Sequence, residues 1–551
     1  MTTTLSKALP LVLRTYQYRP LTVFSLLDTD ADRVLPHLFE LCVKGGRSSR
    51  SLTNARDYIT YRKQLINSGF VVGFDTADDQ ALLDGWLRSS VVDMGTVGRS
   101  RTGEQMLAVA PLTLAAYRAG LPTARERHRG IDDFVYRLLL AELKRRGSTN
   151  PVADLRDLVT TTVGQGLAIG PPPRWEPLLD DPAELDIDAL LEFRFVEGFA
   201  MSDARMVDDR PPESPLPGVT ADIGATLLSH FAVYGTRLPT QALMSSFAAL
   251  LAVSVFTMSL RADAAGRQLL TTGELPADMR EPVPPSRMEL YCDFTGDLGE
   301  ASDRLARRCV ERDLERVRLA FRDRMTFVVI ENALIRMPDE QDRRKELSCP
   351  EQLAQLASLR GHRRVETYAE GRIDDIVAEA SESDAITETE KEFLREIQGG
   401  SGAELDKLVE IMQYVNQTQA VKNAVNWFWS IGGLQKPYGI LEGSLRNRRS
   451  WRYAPNDELL IALLLAVSVR PNGSGFRPSM PFRDVLDTLR NRFGILVDCP
   501  PAFLDGAEAR AAAATNLEAF KRRLQLLGCF DSLSDDFSVQ VVRHPLGDLN
   551  A

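Results

Sequence analysis

The sequence feature that most constrains the fold is a run of twenty residues without a charged side chain, Gln241 to Leu260, which lies between Arg237 and Arg261. A helix of this length can cross a bilayer. The run also contains four serines, a threonine and a glutamine, and Pro239 just before it supplies a helix start. We therefore predict a helix buried at the centre of a protein domain, with a transmembrane span as the alternative.

Length and charge limit the classes of protein that the chain can belong to. A chain of 551 residues is too long to fold around a single hydrophobic core, so several domains are expected. Apolar residues make up 44% and charged residues 26%, which is typical of a folded soluble protein. The net charge of −10 excludes a dominant basic face, so any nucleic-acid contact must come from a local patch.

The cysteines, the histidines and the N-terminus give further expectations. No two of the six cysteines form a CxxC pair and only five histidines are present, which argues against a structural zinc site or a disulfide scaffold. The first twenty residues lack the apolar core and cleavage site of a signal peptide. We expect a cytoplasmic protein with no membrane partner.

Proline- and glycine-rich breaks at 170–182, 208–218, 274–286 and 399–402 divide a mainly α chain with few short strands. The predicted fold is a multi-domain helical protein with a C-terminal winged-helix-like module. The predicted segments are an N-terminal helical domain (1–170), a proline-rich linker region (171–218), a buried-helix segment (219–273), a charged helical domain (287–398), and a C-terminal basic and aromatic loop with a winged-helix-like domain (403–551).

One long charged helix is predicted over 299–337. Eight arginines lie between Arg304 and Arg324, interspersed with acidic residues. This pattern favours a solvated, salt-bridged face, and a phosphate-binding face is the alternative.

The C-terminal region has the pattern of a winged-helix module. Helical periodicity covers 481–495 and 507–527, and CFDSLSDDFSVQVV (529–542) is typical of a β-hairpin. In such a module a helix enters the major groove and the hairpin touches the backbone. Lys521, Arg522 and Arg523 are therefore candidate nucleic-acid contacts.

Catalytic motifs are absent from the sequence. It contains no GxxxxGK[ST], HExxH, GxSxG or kinase-type HRD pattern, so we predict no catalytic residue, no cofactor and no metal site. Asp293 and Asp297 in MELYCDFTGD offer one alternative, a metal-dependent nuclease. No third acid with a lysine follows at suitable spacing, and the simpler interpretation is that Asp293 and Thr295 cap the entry to the next helix.

The stretch 421–453 stands out because it is cationic within an acidic chain. Its glycines break a regular helix, and it holds three of the five tryptophans of the chain. Arginine forks suit phosphate oxygens, and aromatic faces stack on bases. The residues predicted to bind nucleic acid here are Lys436, Arg446, Arg448, Arg449, Trp451, Arg452 and Tyr453. The competing interpretation pairs the arginines 446–452 with acidic helices at 378–392, or with a protein partner.

Four blocks of sequence carry a resemblance to a known family. They are ELYCDFTGD, RLARRCVERDLERVR, RRSWRYAPNDELL, and NLEAFKRRLQLLGCF with LSDDFSVQVV, within residues 285–545. They resemble accessory subunits of bacterial methylation-associated anti-phage defence systems, and more distantly an accessory protein of phosphorothioation-dependent restriction systems. The resemblance implies action beside an ATPase, helicase or nuclease, and it assigns no site residue.

These observations lead to one expected function and two alternatives. The expectation is a non-enzymatic, DNA-associated subunit of a defence complex with partners such as an ATPase or a nuclease. A scaffold that binds only proteins and a cryptic metal-dependent nuclease are the alternatives.

Overall fold

Helices dominate the structure and strands are short, which confirms the predicted mainly α class. The computed structural model describes residues 4–43, 45–49, 58–67, 72–95, 105–109, 129–163, 168–169, 177–178, 203–281, 285–471, 473, 475–530 and 540–547.

The α-helices of the described ranges are numbered in chain order. They are α1 (Arg19–Thr22), α2 (Ala31–Val43), α3 (Tyr58–Asn67), α4 (Ala77–Trp86), α5 (Ile131–Arg145), α6 (Pro151–Val163), α7 (Pro217–Tyr234), α8 (Thr240–Thr272), α9 (Ala301–Ala333), α10 (Pro338–Arg344), α11 (Cys349–Ser358), α12 (Arg363–Glu382), α13 (Glu388–Gly399), α14 (Glu404–Ile431), α15 (Asp457–Ser468), α16 (Phe482–Thr488) and α17 (Ala507–Leu526).

The strands of the described ranges form two-stranded pairs, numbered here in chain order. They are β1 (Arg47–Ser49) with β6 (Asp203–Met206), β2 (Val92–Gly95) with β3 (Gln105–Val109), β4 (Ala168–Ile169) with β5 (Pro177–Leu178), β7 (Leu290–Tyr291) with β11 (Ile495–Leu496), β8 (Leu441–Ser444) with β9 (Asn447–Tyr453), and β10 (Ser479–Pro481) with β12 (Val541–Arg543). The β7–β11 pair is parallel, and the others are antiparallel.

The uncharged run lies in α8, at the centre of the helical core. Within the described residues, α8 is the one helix long and apolar enough to cross a membrane, and 94% of its most apolar window is buried inside the protein. It packs against α7, α9 and α15. Phe256 of α8 stacks on Trp427 and meets Phe428 edge-on, with ring centroids 5.8 and 5.2 Å apart. The prediction of a buried helix is confirmed.

The long charged helix α9 mixes exposed and buried charges. Arg308 and Glu311 form an exposed pair of the predicted kind, and so do Arg318 and Glu315. Arg324 does not fit that prediction, because its guanidinium is fully buried 2.5 Å from a carboxylate oxygen of α8. Tight packing of α9 against α8 and α14 forces such charges to pair inside the core.

Contacts cross the predicted segment boundaries. Strand β7, from the segment 287–398, pairs with β11 of the segment 403–551. At the other end of the chain, the amide of Thr4 donates to Glu390 on α13. The boundaries themselves stay a prediction.

The C-terminal helices lie close to their predicted places. Helix α16 ends at Thr488 and a π-helical turn continues to Phe493, whereas α17 runs through most of the predicted 507–527. The turn of the predicted hairpin, 531–539, lies outside the described residues. Its flanks are joined by an antiparallel bridge between Phe530 and Val542. The winged-helix assignment stays a prediction.

Candidate nucleic-acid interface

The basic stretch folds as a β-hairpin rather than as the loop predicted from its glycines. Strands β8 and β9 pair from Leu441–Tyr453 at the base to Ser444–Asn447 at the end, so residues 445 and 446 make a two-residue turn. A bulge lies at Gly443, whose φ is 139°. A Cβ there would sit 2.8 Å from the Ser450 carbonyl oxygen, so this backbone approach requires glycine.

Side-chain hydrogen bonds fasten the end of the hairpin. The Ser450 hydroxyl accepts from the Ser444 amide at 2.9 Å and donates to the Asn447 carbonyl at 2.7 Å. The Trp451 indole N–H donates to the Ser444 carbonyl at 2.9 Å, and the Arg449 amide donates to the Asn447 side chain at 3.2 Å. These bonds fix the backbone that carries the exposed arginines.

Arg446, Arg448 and Arg449 lie exposed at the end of the hairpin, which we call the apex (residues 445–449). Among the residues that the structure describes, no carboxylate lies within 4.0 Å of these three guanidinium groups. The three side chains are therefore available to an external anion, and their binding to nucleic acid stays a prediction.

Trp451, Arg452 and Tyr453 form the opposite end of β9, which we call the base, and all three are buried. Trp451 lies parallel to Phe428, with 6.5 Å between ring centroids. The predicted roles of these residues at a nucleic-acid surface must be corrected, because burial removes the two aromatic faces and the Arg452 guanidinium from solvent. The three residues anchor the hairpin in the core instead.

The Arg452 guanidinium is neutralised by carboxylates of the chain itself. Its Nη2 lies 2.7 Å from Glu442 Oε2, and its Nε lies 3.6 Å from Asp303 Oδ1 and 4.0 Å from Asp293 Oδ2. Arg307 also pairs with Asp303, at 2.8 Å. The competing interpretation, internal pairing, therefore holds for Arg452, but its partners are not in the acidic helices at 378–392.

Tyr453 joins the base to the middle of α9. Its hydroxyl donates to Asp313 Oδ2 at 3.0 Å, and Asp313 also pairs with Arg312 at 2.8 Å. Burial raises the pKa of the Tyr453 hydroxyl well above its ordinary value, and the charge of Asp313 raises it further. Tyr453 is therefore a neutral hydrogen-bond donor at physiological pH.

Three further arginines, which the sequence reasoning did not assign to the site, lie beside the apex at the start of α9. Arg307 Nη1 donates to the Arg449 carbonyl at 3.1 Å. Arg304 and Arg308 are exposed and make solvent-exposed ion pairs with Glu508 and Glu311. The three arginines line a groove of about 600 Å³ between the first turns of α9 and α17. Exposed ion pairs contribute little stability, so phosphate can replace the glutamates at low cost.

The remaining candidate residues are placed less favourably. Lys436 is half-buried in the loop before β8, where its carbonyl accepts from the Asn456 amide group at 2.9 Å. On α17, Lys521 pairs with Glu518 at 2.8 Å and Arg523 pairs with Asp457 at 2.5 Å, whereas Arg522 is exposed.

The two acids of the nuclease alternative have different surroundings. Asp293 is buried, and its Oδ1 accepts from the Thr295 hydroxyl and amide at 2.7 and 3.3 Å. The predicted helix cap is wrong, because α9 begins after Glu300, which makes no side-chain capping bond. Asp297 is exposed. Within the described ranges, no group of three or more His, Cys, Asp or Glu side chains is placed to hold a metal ion.

Comparison with known families decides what kind of protein this is. Residues 13–546, almost the whole chain, match the family described as Methylation-associated defense system protein MAD7. The chain belongs to the MAD7 family. This finding confirms the resemblance carried by the four sequence blocks and extends it over the N-terminal half, where no resemblance was noted. No curated protein matches the chain.

Membership of the MAD7 family makes the chain a methylation-associated defence-system protein, which implies other components of the same system. The family description names no ligand and no site residue.

Proposed function

We propose that this chain is a non-enzymatic, DNA-associated subunit of a cytoplasmic bacterial anti-phage defence complex, acting beside partners such as an ATPase or a nuclease. The observation that carries the proposal is the apex. Three exposed arginines without a carboxylate partner among the described residues stand on a fastened hairpin in a chain of net charge −10.

The neighbouring arginines of α9 extend this charge into a surface. Since Arg307 donates to the Arg449 carbonyl, the start of α9 lies beside the apex, and the two form one face with six arginines, of which the three on α9 are paired with carboxylates. Arginine forks bind phosphate oxygens bidentately and stay charged at any physiological pH. Such a face contacts the backbone of DNA without reading its sequence. The α17 residues Lys521, Arg522 and Arg523 and the loop residue Lys436 are proposed as secondary contacts.

The test is DNA binding by the full chain, measured by fluorescence anisotropy with a duplex of about 30 base pairs, or three helical turns. Wild type is expected to bind at low salt. Replacement of Arg446, Arg448 and Arg449 by alanine is expected to reduce the slope of log K against log salt by about 2.7, because each phosphate contact contributes about 0.9.

A matched control removes the same charge elsewhere. Arg343, Arg395 and Arg483 are exposed on α10, α13 and α16, and their triple alanine variant is expected to bind like wild type. Equal losses in both triple variants would show that only net charge matters and would contradict the assignment. Absence of binding by wild type at low salt, together with co-purification of neighbour-encoded subunits, would favour the protein-only scaffold.

A further inference from the structure

The apex carries one apolar side chain among its cations. Leu445 occupies the first position of the two-residue turn and is 46% exposed. Turn positions of this kind usually hold Gly, Asn, Asp or Ser. A single exposed leucine is ordinary on a protein surface. Leu445 differs from the others because the chain places it at the tip of a cationic hairpin, directly before Arg446.

The hairpin presents Leu445 in a fixed position. Residues 445–449 are all exposed, so the side chains of the apex are accessible to solvent. The bonds of Ser450 and of the Trp451 indole hold both strands immediately behind the turn. Little further conformational entropy is lost when such a turn enters a ligand, and this favours insertion of the side chain over its collapse onto the surface.

We infer that the apex enters the minor groove of duplex DNA and that Leu445 wedges between neighbouring base pairs while Arg446, Arg448 and Arg449 hold the flanking phosphates. This inference rests on the proposed function and names the form of nucleic acid and the manner of contact. Apolar wedges flanked by basic residues are the usual device for partial unstacking from the minor groove. The minor groove is about 6 Å wide, which suits a two-residue turn better than a whole ribbon.

The wedge predicts a preference that does not depend on base sequence. Unstacking a base step costs a few kcal/mol in a perfect duplex and less where a mismatch has already weakened the stack. The protein should therefore bind a duplex with a central mismatch about tenfold more tightly than the matched duplex, since about 1.4 kcal/mol of saved unstacking corresponds to tenfold in affinity.

The test compares the two duplexes with wild type and with Leu445→Ser. The variant is expected to lose the preference for the mismatch while keeping its affinity for the perfect duplex within about threefold, because its arginines are intact. Leu82→Ser on α4 is the matched control, since Leu82 is also an exposed leucine and lies outside the apex. A preference that persists in Leu445→Ser, or one lost equally in Leu82→Ser, would overturn the wedge.

The outcomes separate this inference from the proposed function. If wild type binds both duplexes equally and the triple arginine variant binds neither, the proposed function stands and the wedge falls. If wild type binds no duplex at low salt, both fall. If Leu445→Ser leaves DNA binding and the mismatch preference unchanged but abolishes co-purification with a neighbour-encoded subunit, the apex is a protein-docking surface and the wedge is wrong.

Discussion

The two ends of the β8–β9 hairpin are built from similar residues, but one end is exposed to solvent and the other is buried. At the apex, Arg446, Arg448 and Arg449 extend into solvent. At the base, Arg452 is buried between Trp451 and Tyr453 and faces carboxylates. The comparison teaches that a cationic stretch in a sequence can hold both a surface and its anchor, and that the position of the acids in the fold decides which arginine is which.

The energetic consequences of the two ends differ. A buried charge is tolerated only with partners of opposite charge. Removing one of them leaves the others buried and unpaired in a medium of low dielectric constant. An exposed arginine contributes little to stability and is therefore free to serve binding. Each prediction below tests whether this division is as sharp as the structure indicates.

The largest expected effect on stability is at Arg452. Arg452→Ala leaves the buried Asp293 without a cation and Asp303 with Arg307 alone, and it is expected to lower the free energy of unfolding by about 3–5 kcal/mol. Arg448→Ala at the apex is the control and should change it by less than about 0.5 kcal/mol. Urea denaturation followed by circular dichroism gives both values. Equal changes in the free energy of unfolding at Arg452 and Arg448 would contradict the distinction between a stabilising base and an apex that serves binding.

Tyr453→Phe tests the bond from the base to α9. It removes the donor to Asp313 Oδ2 and should cost about 1.5–3 kcal/mol, because hydrogen bonds to charged groups are among the stronger ones. The same denaturation experiment measures it. DNA affinity should not change, since the hydroxyl is buried. A loss of DNA binding at unchanged stability would show that the base takes part in the contact.

The arginines of the hairpin keep their charge at any physiological pH, whereas a buried histidine near the C-terminus, His544, changes its stabilising contribution with pH. Burial lowers the pKa of His544 to about 4. Its Nδ1 accepts from the Leu546 amide at 3.1 Å and its Nε2 lies 2.9 Å from the Tyr234 hydroxyl, an arrangement that fits the neutral ring. Because the unfolded chain binds this proton more strongly, the stabilisation is complete above about pH 6.5 and is lost as the pH falls towards 4.

Lowering the pH from about 7 to 5 should therefore destabilise the protein by about 2 kcal/mol through His544. In His544→Gln, the loss over this interval should be smaller by that amount, as measured by denaturation at both values. The apex should show no such response, because arginines stay charged throughout. If the variant loses as much unfolding free energy between pH 7 and pH 5 as wild type, other groups, such as the buried His230, cause the destabilisation.

The smallest expected effect is on α17. Arg522→Ala should weaken DNA binding by less than about threefold and change the salt slope by less than about one, whereas Arg448→Ala should change it by about one. Anisotropy titrations at several salt concentrations separate the two variants. A larger effect of Arg522 would extend the interface from the apex onto α17 and support the winged-helix interpretation.

Much of the helical architecture could be predicted from the sequence because its signals are local. The helical periodicity predicted a helix over 507–527, and the structure has Ala507–Leu526. The uncharged run predicted the buried helix α8, since a long apolar surface without charges requires burial on all sides.

The hairpin and its buried base could not be predicted in the same way. The glycines of the stretch indicated a loop, although Gly443 in fact permits a bulge within a strand pair. Beside Glu442 on the paired strand, the partners of Arg452 lie about 150 residues earlier in the chain, on the loop after β7 and on α9. No local pattern reports such a pairing, so one arginine of four was assigned to the wrong environment.

The apex arginines were among the predicted nucleic-acid contacts and are exposed, but their neighbours on α9 were not included. The clustering of Arg304, Arg307 and Arg308 was visible as part of an arginine-rich helix. Only the fold brings Arg307 to the Arg449 carbonyl. A surface assembled from distant segments depends on tertiary packing. The sequence therefore indicated the arginines of the apex but not their proximity to those at the start of α9.

Hydrogen exchange with and without duplex DNA tests the central claim most directly. Without DNA, the amides of the apex (445–449) should exchange faster than those of the base (451–453), which are buried in the core. Bound DNA should slow exchange at the apex and at the start of α9 and leave the base unchanged. Unchanged exchange at 445–449 in the presence of saturating DNA would contradict the account.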